Sequence, residues 1–186
     1  MTLRTKRLVL REMLATDAAD VLVFRADFEA QKFNSDPLRS VDEAAAFIEG
    51  LRVRQAAERE ITWEITPGEG CPMIGTAGLY FWNKYHRRAE VGYELARAHW
   101  GHGLGREAVV EVVRFGFERQ NLNRIEAATI ADNFQSVALL TKLGFRLEGL
   151  RREFSWEEDG TFHDSAMYAL LRSEFIAHAA ALPCPG

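Results

Sequence analysis

Three glycines at alternate positions, Gly101, Gly103 and Gly105, followed by Arg106, are the residues of this chain best placed to do chemistry. Glycine admits backbone angles closed to other residues and puts no side chain between the main chain and a ligand. Upstream, Ala89, Val91, Tyr93 and Leu95 alternate with Glu90, Gly92 and Glu94, the period-2 pattern of a strand. Downstream, Val109, Val112, Val113 and Phe117 make one apolar helical face, opposite the polar stripe of Glu107, Glu111, Arg114 and Glu118. A strand entering a helix through such a turn points unpaired N–H groups, and the positive end of the helix dipole, at whatever lies above the glycines. That arrangement attracts anions, phosphate above all.

Two other readings of this turn stay open on spacing alone. The glycines can serve only the turn itself. Gly103, Gly105 and Ala108 also fit G-x-G-x-x-A, with Glu126 near the distance of a ribose-binding acid, as in an NAD-dependent oxidoreductase. A triphosphate loop is excluded, because no Gly-Lys-Ser/Thr closes the turn. His99 and His102 have metal-like spacing, but they sit on a glycine loop without an acidic or thiol partner, so no metal is expected.

The elements that must hold the turn can be read from periodicity and from caps. Strands are expected over 8–12, 61–65, 73–82, 89–95, 124–130, 146–151 and 165–171, about seven in all. About four helices accompany them. The first starts at Thr16 or Asp17, the second at the Ser40/Glu43 capping pair with its Ala44, Phe47, Ile48, Leu51 stripe. The third follows the glycines, and the fourth runs from an Asn133 cap to Gly144. The fold class is α/β (α+β): strands pair antiparallel at first, then helices cross between neighbouring strands of a mixed, mostly antiparallel sheet.

With 186 residues, 47% of them hydrophobic and 27% charged, the chain can build one substantial core, and 1–186 is read as a single domain with a frayed tail over 177–186. A formal charge of −4 argues against nucleic acid as the principal partner. No apolar run approaches a membrane span, and Cys71 and Cys184 are too few for a disulfide framework, which leaves a reducing cytoplasm as the expected compartment. Self-association into a homodimer stays open.

A second stretch carries chemistry: Asn133 and Ser136 at a helix start, followed by Leu143-Gly144-Phe145. By themselves the Asn and Ser are a plain cap. Their place matters more, since they follow the strand that comes directly after the glycine-turn helix. There the Asn amide can both donate to and accept from an amide-bearing ligand arm lying beside that strand.

Taken together, these motifs resemble the GNAT superfamily of acyl-CoA-dependent N-acetyltransferases, most closely its branch that acetylates the N-terminal amines of ribosomal proteins. The resemblance spans roughly residues 5–171. It rests on Thr-x-Arg-Leu-x-Leu-Arg at 5–11, Ala-Glu-Val-Gly-Tyr at 89–93, Trp-Gly-His-Gly-Leu-Gly at 100–105, Asn133 with Ser136, and Leu-Gly-Phe at 143–145. It implies acetyl-CoA as co-substrate, with no metal, and an amine acceptor. The diphosphate would take N–H groups from Gly101, His102, Gly103, Leu104, Gly105 and Arg106. The pantetheine arm would run between two splayed parallel strands, beside main-chain groups of Leu95 and Arg97. Asn133 would hold its amide and bring the thioester beside Ser136.

Two positions depart from the family pattern. Trp100 stands where the turn usually opens on a polar or charged residue, and Leu140 where many members place a tyrosine acid for the leaving thiolate. Ser136 is the substitute that the ribosomal-protein branch suggests. Leu140 also keeps a non-catalytic acyl-CoA-binding protein in play. For the base that must deprotonate the amine, Glu90 and Glu153 are the candidates implied by resemblance. Glu94 shares a strand face with Glu90, and His86 and His163 are weaker choices. Each acid can instead be a solvated or paired carboxylate, Glu90 with Arg87 or Arg88 for example. Phe24, Phe28, Phe33, Trp82 and Trp156, with the first two helices and a late loop over 153–163, are expected near the acceptor. No covalent intermediate is expected, because neither cysteine sits in an activating motif.

Overall fold

Alternation of apolar and polar residues places one face of a sheet under the helix Leu104–Glu118 and the other under the helices Ala18–Arg25 and Val41–Ala56, each side burying its own hydrophobic cluster. The computed structural model describes residues 1–34, 36–157 and 159–175; the expected frayed tail and Cys184 lie outside the described residues. The strands are β1 (Leu3–Arg4), β2 (Val9–Glu12), β3 (Ile61–Thr66), β4 (Gly75–Asn83), β5 (Arg88–Leu95), β6 (Arg124–Ile130), β7 (Arg146–Trp156) and β8 (Phe162–Leu171). The helices are α1 (Ala18–Arg25), α2 (Phe28–Gln31), α3 (Val41–Ala56), α4 (Leu104–Glu118) and α5 (Phe134–Lys142), with a further helical turn over 172–175. The eight strands form one sheet in the order β1-β2-β3-β4-β5-β6-β8-β7. Every neighbouring pair is antiparallel except β5 and β6.

Helix α4 is held by packing more than by propensity. Val109, Val112, Phe115 and Phe117 are each at most 1% exposed, and full burial of such a side chain is worth about 1.5–3 kcal/mol. Against that, Gly116 inside the helix costs only about 1 kcal/mol. A β-carbon at Gly116 would stand 2.9 Å from Ile125 Cδ1 of β6, so the packed side-chain ends there would have to shift to admit one. Helix α3 starts as its sequence indicates, with Ser40 Oγ accepting from Glu43 N at 3.1 Å, and it buries Ala44, Ile48 and Leu51.

The sequence reading differs from the structure in three places. Strand β1 is only two residues long, too short for alternation to register. Helix α2 is a single turn, fixed by Asp27 Oδ1 accepting from Glu29 N and Ala30 N rather than by an apolar stripe. The late loop expected over 153–163 is mostly a hairpin: β7 runs on to Trp156 and β8 begins at Phe162. Strand β7 is the sheet's edge and almost wholly exposed, so it has no buried face to impose alternation. Its pairing shifts between Arg151 and Ser155, where Glu153 has φ 50° and donates its N–H to Asp164 Oδ1 at 2.8 Å.

Candidate active site

The chain leaves β5 at Leu95, passes through a short 3-10 turn at Arg97–His99, and reaches α4 by way of two left-handed glycines. Gly101 has φ 77° and Gly103 φ 75°, values that L-residues with a β-carbon adopt only at a cost. Nothing lies within 4 Å of a β-carbon built at Gly101. Gly103 is the N-cap of α4 and offers no side-chain acceptor, so the first N–H groups of the helix have no side-chain cap; Arg7 Nη2 would lie 3.6 Å from a β-carbon built there. Trp100 closes the turn from below: its indole N–H donates to the Leu95 carbonyl at 2.6 Å. The polar residue expected at this position is thus replaced by a hydrogen bond to the strand end, and the Leu95 carbonyl is already engaged.

The parallel pair holds together only at its start. Arg88 pairs with Arg124, Ala89 with Ile125 and Glu90 with Glu126, and no pairing of β5 with β6 continues toward Leu95 and Ile130. Glu90 therefore marks the apex of a wedge whose mouth opens beside the glycine turn. A side-chain contact runs from β5 to the helix that follows β6: the Tyr93 hydroxyl lies 2.8 Å from Ser136 Oγ in the first turn of α5. Asn133 is the α5 N-cap, its Oδ1 accepting from Ser136 N at 3.1 Å. The oxygen of that amide is thus occupied by the cap. Burial pushes the Tyr93 phenol up to about 12, so it stays neutral at any ordinary pH. Leu140 is 1% exposed and belongs to the core.

The carboxylates separate clearly. Glu90 is half-buried, and burial, with Glu126 beside it, raises its carboxyl above the ordinary range. Among the described residues Glu90 pairs with neither Arg87 nor Arg88: Arg88 Nη1 instead meets Glu126 Oε2 at 2.9 Å. Glu94 is also raised, by burial, although Arg25 Nη2 lies 3.6 Å from its Oε1 and Gln31 Nε2 donates to its Oε2 at 3.3 Å. Glu153 is exposed on β7, and its main-chain N–H donates to Asp164 Oδ1. His163 is engaged by Asp159 at 2.7 Å. Below α2, a cleft of about 270 Å³ is lined by Gln31, Phe33, Asp36, Ile130, Phe154 and Trp156 among others. Of the aromatics expected there, Phe33 and Trp156 line it. Phe24 is buried in the α1–α3 core, Trp82 packs against the main core, and Phe28 is exposed.

Topology disposes of the dinucleotide reading. Such sites need successive parallel strands, and among the described residues one pair alone runs parallel. Glu126 is taken up by Arg88 and Arg124. An open glycine turn at the mouth of a splayed parallel pair is the arrangement that the sequence resemblance implied. Comparison with known proteins agrees, since the acetyltransferase (GNAT) domain model matches residues 7–146.

This chain belongs to the GNAT acetyltransferase family.

Among GNAT relatives, it is 36% identical over 175 residues to the uncharacterized N-acetyltransferase p20 of Bacillus licheniformis, covering 94% of this chain and 98% of that one. It is 33% identical over 171 residues to the uncharacterized N-acetyltransferase YoaA of Bacillus subtilis, covering 91% and 96%. Its fold matches a ribosomal L7/L12 α-N-protein acetyltransferase, RimL, solved with coenzyme A, with a TM-score of 0.82 at 20% identity over 92% of this chain and 98% of that one. Sequence reasoning had assigned no role to two residues at this GNAT site. Tyr93 reads in the sequence as an apolar position of a strand and as the end of the Ala-Glu-Val-Gly-Tyr motif, with nothing that assigns its hydroxyl a role. Arg7, whose Nη1 donates to the His102 carbonyl at 3.0 Å, lies far from the turn in sequence.

Proposed function

We propose that this chain transfers an acetyl group from acetyl-CoA to a primary amine, a protein N-terminus or a small molecule, by direct attack within a ternary complex. The observation that carries this reading is continuity: the uncapped N-terminus of α4 opens onto the mouth of the wedge between β5 and β6. A phosphate cradle and a slot walled by unpaired strand edges thus adjoin, which suits a ligand with a diphosphate and an amide-bearing tail. Bound there, acetyl-CoA supplies the acetyl group as an activated thioester.

The chain's own groups divide the remaining work. Main-chain N–H groups from Gly101 to Arg106 face the diphosphate. Asn133, its oxygen committed to the helix cap, offers its amide N–H to the arm. Ser136 donates a hydrogen bond to the departing sulfur. Glu90, at the apex and raised by burial, accepts a proton from the amine. An N-terminal amine titrates near ~8 and a lysine near ~10.4, so the first demands far less of that base. The cleft beneath α2 receives the acceptor.

The decisive experiment compares melting temperatures with acetyl-CoA and with NAD, then follows thiol release with a panel of amines. Stabilisation by acetyl-CoA alone, together with turnover of at least one amine, is expected. Stabilisation by NAD, or acetyl-CoA binding without turnover of any amine, overturns the reading.

A further inference from the structure

Leu140, buried in the core, stands where the family resemblance implied a tyrosine acid, so no phenol projects from α5 at that position. A phenol reaches the same helix from the opposite wall. Tyr93 lies on β5 beyond the apex at Glu90, and its hydroxyl oxygen is 2.8 Å from Ser136 Oγ. The serine main chain is fixed independently, through its N–H bond to Asn133 Oδ1. Each hydroxyl has one proton to give, and the serine hydroxyl rotates freely to suit its partners. A largely buried phenol needs an acceptor for its proton, and Ser136 Oγ is within reach. With the phenol donating, the serine proton must turn elsewhere.

We propose that Tyr93 is a positioning residue for acyl transfer: by donating to Ser136 Oγ it commits the serine's own proton to the wedge, where the leaving sulfur must be stabilised. The inference rests on the acetyltransferase reading given above. Two hydroxyls in series polarise one another, so the serine is a stronger donor than it would be alone. Neither hydroxyl changes its protonation state. As the new C–N bond forms and the C–S bond breaks, the electron pair stays on sulfur. The proton lost by the amine balances the one that the thiol finally takes from solvent. The raised phenol titration fits this role, since the proton that sets the chain is never lost near neutrality.

The test is steady-state kinetics on the whole protein with acetyl-CoA and one accepted amine, comparing wild type with Tyr93→Phe, Ser136→Ala, Ser136→Thr and the Tyr93→Phe/Ser136→Ala double variant. Loss of one hydrogen bond in the chain is expected to lower kcat about tenfold in Tyr93→Phe. Both KM values and the calorimetric Kd for acetyl-CoA should stay within about twofold. The double variant should be no slower than Ser136→Ala, and Ser136→Thr, which keeps a hydroxyl, should retain most of the rate. Wild-type kcat in Tyr93→Phe, losses that multiply in the double variant, or a Kd that weakens in step with kcat would overturn the proposal. A wild type that binds acetyl-CoA yet turns over no amine would instead bring down the functional reading, and this inference with it.

Discussion

Arg7 and Glu107, one hundred positions apart in the chain, lock the N-terminal segment to the first turn of α4. Arg7 Nε donates to Glu107 Oε2 at 2.6 Å and the Arg7 N–H to Oε1 at 2.8 Å, while Thr5 Oγ1 donates to the same oxygen at 2.5 Å. Burial alone would raise the Glu107 carboxyl; the bonds from Thr5 and Arg7 outweigh it and hold the group below its ordinary range. A bare carboxylate here would oppose a phosphate at the helix N-terminus. Arg7→Gln is therefore expected to weaken acetyl-CoA binding about tenfold at low salt, with a smaller effect at high salt. The arginine end of the pair is solvent-exposed, and such a pair adds only about 0–1 kcal/mol to stability, so the melting temperature should move little. Adding Glu107→Gln should restore part of the affinity. Calorimetric titration of both variants checks this, and an unchanged Kd in Arg7→Gln would refute it.

The choice of base can be settled by the pH dependence of the rate. Glu90 works as a base only when ionised, and burial beside Glu126 raises its titration, so activity should climb as pH rises through that elevated value. Glu90→Gln should lose about 10²–10⁴ in kcat/KM and with it the acid limb of the profile. Glu153→Gln should stay within about twofold of wild type, because the side chain is exposed on the edge strand and is tied into the hairpin only through its main chain. If Glu153→Gln removes the limb while Glu90→Gln keeps it, the two roles are reversed.

The glycine turn separates backbone strain from crowding. At Gly103, φ of 75° makes any β-carbon strained, so Gly103→Ala should cost about 1–2 kcal/mol of stability in chemical denaturation. At Gly105, inside α4, a β-carbon meets only Leu139 Cδ1 at 3.7 Å and Leu95 Cδ2 at 3.9 Å, both ordinary contacts. Gly105→Ala should accordingly be neutral or slightly stabilising. Equal destabilisation by the two variants would mean that the left-handed turn is not what fixes the first glycine.

What could be read before folding followed from burial. Strands β5 and β6 and helices α3 and α4 each bury one face more deeply than the other, and that one-sidedness writes a period into the chain, as with Val109, Val112 and Phe117. The glycine turn was legible for a different reason: alternate glycines before an apolar helical face have few structural uses. Strand β7 was cut short because an edge strand with solvent on both faces carries no such period. The contacts that complete the site were hidden because they join distant segments. Tyr93 looked like a core residue by alternation, and nothing local indicates that its hydroxyl crosses to α5. Arg7 likewise meets His102 and Glu107 only once the sheet brings the first loop over α4.

A buried charge cluster remote from the site predicts how stability varies with pH. Arg11 makes a two-pronged contact with Asp17, Nη1 to Oδ2 and Nη2 to Oδ1 both at 3.0 Å, while Glu64 Oε1 stands 2.7 Å from the same Nη2. Two carboxylates thus share one guanidinium, and the fully buried one yields: desolvation, with Asp17 nearby, pushes Glu64 up to about 8. Its unfolded counterpart titrates near ~4.3, so between these values the folded chain holds a proton that the unfolded chain has released. Folding stability must then fall as pH rises across that window and level off above about 8. Each tenfold difference in proton affinity is worth about 1.4 kcal/mol, so a displacement of this size is measurable by denaturant titration. Glu64→Gln, neutral at every pH, should lack this slope and exceed the wild type in stability by a margin that grows from pH 5 to pH 8. Parallel stability curves for the two proteins over that range would show that Glu64 is ionised in the folded state and that Arg11 compensates both acids.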